Sequence, residues 1–131
     1  MEREGYASLW IGKSKSEDEL SEYVELVYTD DGDHLPSKFL QDFNIDMDDF
    51  DEDYIERVYL EKGTNSITEL ISGCSYEDVV IQKYENLVDG VQSVKINAGI
   101  LLYNFQYDGN IKNLNNKDYK FKFIGSVKYV K

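Results

Sequence analysis

The chain has 131 residues, 41% of them hydrophobic and 14% aromatic, enough for one globular domain spanning 1–131 and too much for a disordered chain. Its 26 acidic and 14 basic side chains leave a net charge of −12, which disfavours bare nucleic acid and anionic membrane as partners. No apolar run approaches the roughly 18 residues of a membrane span. The opening Met1-Glu2-Arg3-Glu4-Gly5 lacks the segments of a signal peptide, and the single cysteine, Cys74, suits a reducing compartment. A cytoplasmic protein is the expectation.

Ala7-Ser8-Leu9-Trp10-Ile11 predicts a short, largely buried strand closed by Gly12, with Trp10 in the core. Ser16-Glu17-Asp18-Glu19 forms a capping box, and Leu20, Tyr23, Val24 and Val27 follow at helical spacing, so a helix is predicted over 17–28. Thr29-Asp30-Asp31-Gly32-Asp33-His34 is a loop by its Asp and Gly content, with His34 a surface residue. It resembles the start of a calcium loop. However, Gly32, Leu35 and Gln41 fall where an EF-hand needs an oxygen ligand, a glycine and a glutamate. Pro36 and Ser37 open a short helix over 37–43 with Phe39, Leu40 and Phe43 on its apolar face. Asn44 suits the left-handed cap and Ile45 the hydrophobic contact that goes with it.

From Asp42 to Glu56 the chain carries eight carboxylates and no basic residue, with Phe43, Ile45, Met47, Phe50, Tyr54 and Ile55 threaded among them. Disordered acidic tails lack such apolar content, so the stretch is predicted to fold with its apolar residues held down and its carboxylates displayed. A calcium register from Asp46 also fails, placing Phe50, Asp51 and Arg57 at its fifth, sixth and twelfth positions. Asp46, Asp48, Asp49, Phe50, Asp51, Glu52 and Asp53 are the candidate partner-binding residues. Residues 1–61 hold 19 acidic and 5 basic side chains, a net −14, whereas 62–131 hold 7 and 9, a net +2. Solubility accounts for a negative total but not for its concentration in one half. A basic partner accounts for both.

Tyr54 to Leu60 is rich in β-formers and predicts a strand, followed by a turn at Gly63-Thr64-Asn65. A second capping box, Ser66-Ile67-Thr68-Glu69, opens a helix over 66–72. Ser75-Tyr76-Glu77-Asp78 starts another over 76–89, with an apolar stripe of Tyr76, Val79, Val80, Tyr84, Leu87 and Val88, closed by Gly90. Cys74 reads as a small buried hydrophobe. A strand is predicted over 94–107, with a bulge or kink at Ala98-Gly99. A turn at Asp108-Gly109-Asn110 and a loop to Asp118 follow. The last segment alternates, with Tyr119, Phe121, Phe123, Val127 and Tyr129 on one face and Lys120, Lys122, Ser126 and Lys128 on the other.

These elements predict an α+β single domain. Strands near 7–12, 54–61, 94–107 and 119–130 make a mostly antiparallel sheet of about four strands, with helices packed mainly on one face. Trp10, Phe39, Phe43, Leu87, Leu101, Phe121 and Phe123 are expected to be buried. No Gly-rich phosphate loop, CxxC pair, HExxH or GxSxG occurs. Glycosidase-type chemistry needs one carboxylate in an apolar pocket, and a crowded acidic run is the opposite environment. The expectation is a binding protein rather than an enzyme, with no cofactor and no dedicated metal site. Two alternatives from other classes stay open: a calcium-responsive or acidic protein-binding scaffold, and an enzyme of unrecognised type, which a large apolar pocket with buried carboxylates would favour.

Taken in order, Leu9-Trp10-Ile11-Gly12, the Ser16–Tyr23 helix start, Gly32-Asp33, Ser37-Lys38-Phe39 and Asp42-Phe43-Asn44-Ile45 form a recognisable series. Asp51-Glu52-Asp53-Tyr54-Ile55-Glu56, Ser75-Tyr76 and Phe123-Ile124-Gly125 continue it. The series resembles the immunity protein 22 family, in pieces, from Leu9 to Tyr129. Glu61–Asn65 and Gly109–Asp118 have no counterpart in it. The resemblance implies a protein encoded beside a bacterial polymorphic toxin that neutralises it by binding, with a cognate toxin domain as partner and no catalytic residues to carry over. Many such toxins are nucleases, whose phosphate-attracting sites would also attract a carboxylate cluster.

Overall fold

The computed structural model describes residues 2–47, 52–87, 91–115 and 119–129. In chain order these form β1 (Glu2–Lys13), α1 (Glu17–Val24), β2 (Val27–Tyr28), β3 (His34–Leu35) and α2 (Lys38–Asp42). A 3₁₀ turn (Glu52–Tyr54) leads into β4 (Ile55–Ser66), α3 (Ile67–Ile71), α4 (Glu77–Leu87), β5 (Val91–Phe105), β6 (Asn113–Asn115) and β7 (Lys120–Lys128). One antiparallel sheet runs in the order β4-β5-β1-β7-β6, and β2–β3 is a separate two-stranded ribbon. The α+β class and the antiparallel sheet are as expected. The fifth strand, β6, lies where a loop was predicted.

The helices cover both faces of the sheet, not mainly one. Successive strand residues point to opposite sides, and the two central strands carry unbroken apolar runs, Leu9-Trp10-Ile11 in β1 and Ile100-Leu101-Leu102 in β5, all buried. Each face therefore needs its own cover. Trp10, Ile100 and Leu102 pack with Leu20 and Tyr23 of α1 and Phe39 and Leu40 of α2. Leu9, Ile11 and Leu101 pack with Ile67, Leu70 and Ile71 of α3 and Val80 and Tyr84 of α4. The lysines of β7 suggest a polar second face, but only Lys120 and Lys122 lie on it, at one end, and Lys128, past a bulge at Ile124, points to the other side.

The alternation of β7 also breaks. Trp10 lies opposite Phe123 and Leu9 opposite Gly125, so Ile124 is one residue too many. Such a bulge turns the following side chains to the other side. Phe121 and Phe123 consequently join the Trp10 core, while Val127 and Tyr129 join the Leu9 core. Two other irregularities differ from expectation. Gly63-Thr64-Asn65 is no turn but part of a bulged stretch of β4, whose register shifts once between the pairs Tyr59–Ala98 and Thr64–Ile96 and again before Ser66–Val91. Ala98 and Gly99 pair regularly with both neighbouring strands.

The serines that open the helices act as read from the sequence. Ser16, Ser37 and Ser66 each accept, through Oγ, the N–H three residues on, at 3.1, 3.2 and 3.1 Å. Helix α1 stops at Val24 rather than 28, because Val27 and Tyr28 leave it to pair with Leu35 and His34 across a turn at Gly32. At the end of β1, Gly12 is required by close approach: a Cβ there would lie 1.7 Å from the carbonyl oxygen of Lys120. Of the side chains expected inside, Trp10, Phe39, Phe43, Leu101 and Phe121 are buried and Phe123 is partly so. Leu87 is instead 50% exposed at the last residue of α4, with its Cδ2 occupying the space over Gly125 where a side chain would stand. Val88 and Gly90 lie outside the described residues.

Candidate functional site

The acidic stretch divides into anchored and displayed residues. Asp42 accepts a 2.9 Å hydrogen bond from the Tyr23 hydroxyl, and Phe43 is fully buried with its carbonyl oxygen accepting from Tyr107 at 2.8 Å. Asn44 takes the left-handed conformation, φ 56°, and the Ile45 N–H returns to the Leu40 carbonyl at 2.8 Å, which together close α2. Ile45 is buried, and Met47 and Ile55 pack against the Trp10 core. Asp46 and Asp53 are exposed. Asp48, Asp49, Phe50 and Asp51 lie outside the described residues, and of Glu52 only the backbone, in the 3₁₀ turn, is described.

Beside Asp53 the stretch meets residues from three other parts of the chain. Asp53, Tyr54, Ile55 and Glu56 line a cleft of about 220 Å³ with Ser75, Tyr76, Tyr103 and Tyr129. Glu56 ties β4 to the segment before α4, its two oxygens accepting from the Ser75 N–H at 2.8 Å and the Ser75 hydroxyl at 2.7 Å. Tyr103 donates to the Ser75 carbonyl at 2.6 Å, and Tyr129 to Asn104 Oδ1 at 2.7 Å. Both phenols are buried at the floor, and the pKa of each is raised above its ordinary value. For Tyr103 the cause is burial, reinforced by the Cys74 thiol and the Glu56 carboxyl; for Tyr129 it is burial, then Tyr76, Tyr54 and Glu4.

The outer rings differ from the floor. Tyr54 is 46% and Tyr76 59% exposed. Tyr76 has φ 59°, a left-handed conformation that costs any residue with a Cβ, and its ring lies 4.8 Å from that of Tyr129. The helical spacing of the sequence places Tyr76 on the apolar stripe of α4. It precedes α4 instead and faces out. No local pattern could have assembled this notch, because its four tyrosines come from four separate segments joined by sheet pairing.

Two other surface features bear on the site. The β2–β3 ribbon exposes Val27, Tyr28 and Leu35 beside the acidic tip Asp30-Asp31-Gly32-Asp33, a second place where carboxylates and apolar groups are displayed together. At the far end of the strands, about 20 Å from the notch by strand rise, a cleft of about 370 Å³ is rimmed by Lys13, Lys95, Lys120 and Lys122 over Ile11 and Phe121. Its charge is of the wrong sign for a basic partner. The two clefts thus differ in charge, with Asp53 and Glu56 beside the tyrosines of one and four lysines around the other.

The family model for Immunity protein 22 matches residues 7–130. The chain belongs to the immunity protein 22 family. The family match covers the whole sheet from Ala7 onward and all four helices, so it includes the notch and the ribbon alike. Membership makes this a toxin-neutralising immunity protein with a cognate toxin as partner, and not an enzyme. No curated protein and no solved structure matches the chain. Among the described residues, no group of three or more His, Cys, Asp or Glu is disposed to hold a metal ion, and no helix is long and apolar enough to cross a membrane.

Proposed function

We propose that this immunity protein neutralises a basic toxin domain, in the cytoplasm, by covering its active site or substrate path with an acidic surface. Asp46, Asp48, Asp49, Phe50, Asp51, Glu52 and Asp53 are the proposed partner-binding residues, and Asp53 also lines the tyrosine notch. The observation that carries the reading is the junction of exposed Asp53 with exposed Tyr54 and Tyr76 in one cleft. Tight interfaces combine charge that steers the encounter with aromatic anchors that hold it. Area sets no obstacle. A standard interface takes about 800 Å² from each partner, roughly a tenth of the 7614 Å² exposed here. A nuclease is the toxin class this charge fits best, since a site built for phosphate also attracts carboxylates.

Co-expression with the toxin domain encoded beside it supplies the test. The wild-type chain should restore growth, and Asp46→Asn/Asp53→Asn should restore it less well even at a temperature where the variant remains fully folded. Full protection by a variant with Asp46, Glu52 and Asp53 all neutralised would refute the acidic surface.

A further inference from the structure

We propose that the tyrosine notch is a receptor for a single guanidinium group, an arginine side chain that the toxin inserts between the outer rings and the carboxylates of Asp53 and Glu56. The proposal rests on the toxin-binding reading and deepens it by naming what one part of the surface holds.

Size comes first. Pockets that take drug-sized ligands or cofactors usually run from about 300 to 1,000 Å³, and this cleft is about 220 Å³. One long side chain suits it. Its lining selects the charge of that side chain. The rings of Tyr76, Tyr103 and Tyr129 lie within 6.1 Å of one another, centroid to centroid, with Tyr54 beside them. Ring faces carry negative partial charge and attract cations, guanidinium more often than ammonium. Asp53 and Glu56 supply full negative charge at the same place. Glu56 is already oriented by its two hydrogen bonds from Ser75, and each of its oxygens has a second lone pair to accept from a planar, five-donor group.

The backbone of Tyr76 gives an independent reason. A half-exposed aromatic residue with φ 59° is a poor choice for stability, because glycine or asparagine takes that conformation at lower cost. Strain retained at an exposed ring points to a use for the ring. A lid over Tyr103 and Tyr129 is the other use it could have. The two roles separate cleanly, because a lid stabilises the fold whereas a receptor ring does not have to.

The experiment titrates the full chain with N-acetyl-arginine methylamide, and with the uncharged citrulline analogue, while the tyrosine ring resonances are followed by NMR. The arginine compound should shift the rings of Tyr54, Tyr76 and Tyr129 saturably, and the citrulline compound should not. Tyr76→Gly should abolish the shift without lowering the melting temperature, Tyr76→Phe should retain it, and Asp53→Asn should weaken it. Against the toxin domain, Tyr76→Gly should speed dissociation about tenfold. Equal response to citrulline, no response to arginine, or a clear fall in melting temperature for Tyr76→Gly with arginine binding retained would each overturn the receptor. Toxin binding by a chain whose notch ignores arginine would leave the toxin reading standing and remove only the notch. Arginine binding without toxin binding would support the receptor's chemistry and overturn its assigned occupant.

Discussion

Two aromatic clusters sit on opposite faces of the same sheet, and they differ in what surrounds them. Around Trp10, the rings of Phe39, Phe43, Tyr107 and Phe123 stand 4.9 to 5.8 Å away, most of them edge-on, and α1 and α2 close the cluster from water. Around Tyr129, the rings of Tyr76 and Tyr103 stand at similar separations, 4.8 and 5.2 Å, but Tyr76 and the neighbouring Tyr54 face solvent. Ring contacts alone therefore do not distinguish architecture from recognition. What separates the two clusters is cover and charge: helices close the first, and carboxylates flank the second.

The largest effect should come from breaking the closed cluster. Trp10→Ala should cost about 3–5 kcal/mol, the range for deleting a fully buried large aromatic, against a total stability of about 5–15 kcal/mol. Urea unfolding measures it. A loss below about 1 kcal/mol would mean that the helices collapse onto the gap and that the cluster is not a rigid centre.

A smaller, graded effect should follow alkali. Burial raises the phenols of Tyr23 and Tyr84, the former also through its hydrogen bond to Asp42, and pushes the Cys74 thiol from 9.0 up to about 11. Each is an acid whose folded pKa exceeds its unfolded one. Between those values the unfolded chain has released protons that the folded chain keeps, so stability falls as pH rises. The urea midpoint should hold below pH 9 and then decline, first through Cys74 and then, above about pH 10, through the tyrosines. Cys74→Ala should delay the onset of the decline. A midpoint flat to pH 11 would contradict the burial of these groups. The mildest effect on stability is expected in the open cluster, where Tyr76→Gly should be neutral or slightly favourable.

These contrasts explain which parts of the molecule were legible in its sequence. Caps are local, so Ser16, Ser37, Ser66 and the Asn44–Ile45 helix end could be read directly, because a hydroxyl or a left-handed residue acts within three or four positions of itself. The core tryptophan was equally plain. The distribution of helices over both faces was not, although the triplets Leu9-Trp10-Ile11 and Ile100-Leu101-Leu102 carried the signal: a strand apolar at consecutive positions must be covered twice. The bulge at Ile124 was hidden because the apolar residues keep their odd numbering on both sides of it while their direction reverses. Half of the site was legible as charge. Its aromatic half was not, since Tyr54, Tyr76, Tyr103 and Tyr129 become neighbours only once β4, β5 and β7 are in register.

The electrostatic basis of toxin capture is tested most directly by association kinetics against the toxin domain across ionic strength. Carboxylates that steer a basic partner act over about 10 Å at 0.1 M salt and only about 3 Å at 1 M. Raising salt between those limits should slow association by about tenfold or more, while dissociation changes little. An association rate indifferent to salt, with binding otherwise intact, would contradict the claim that the acidic surface draws the toxin in.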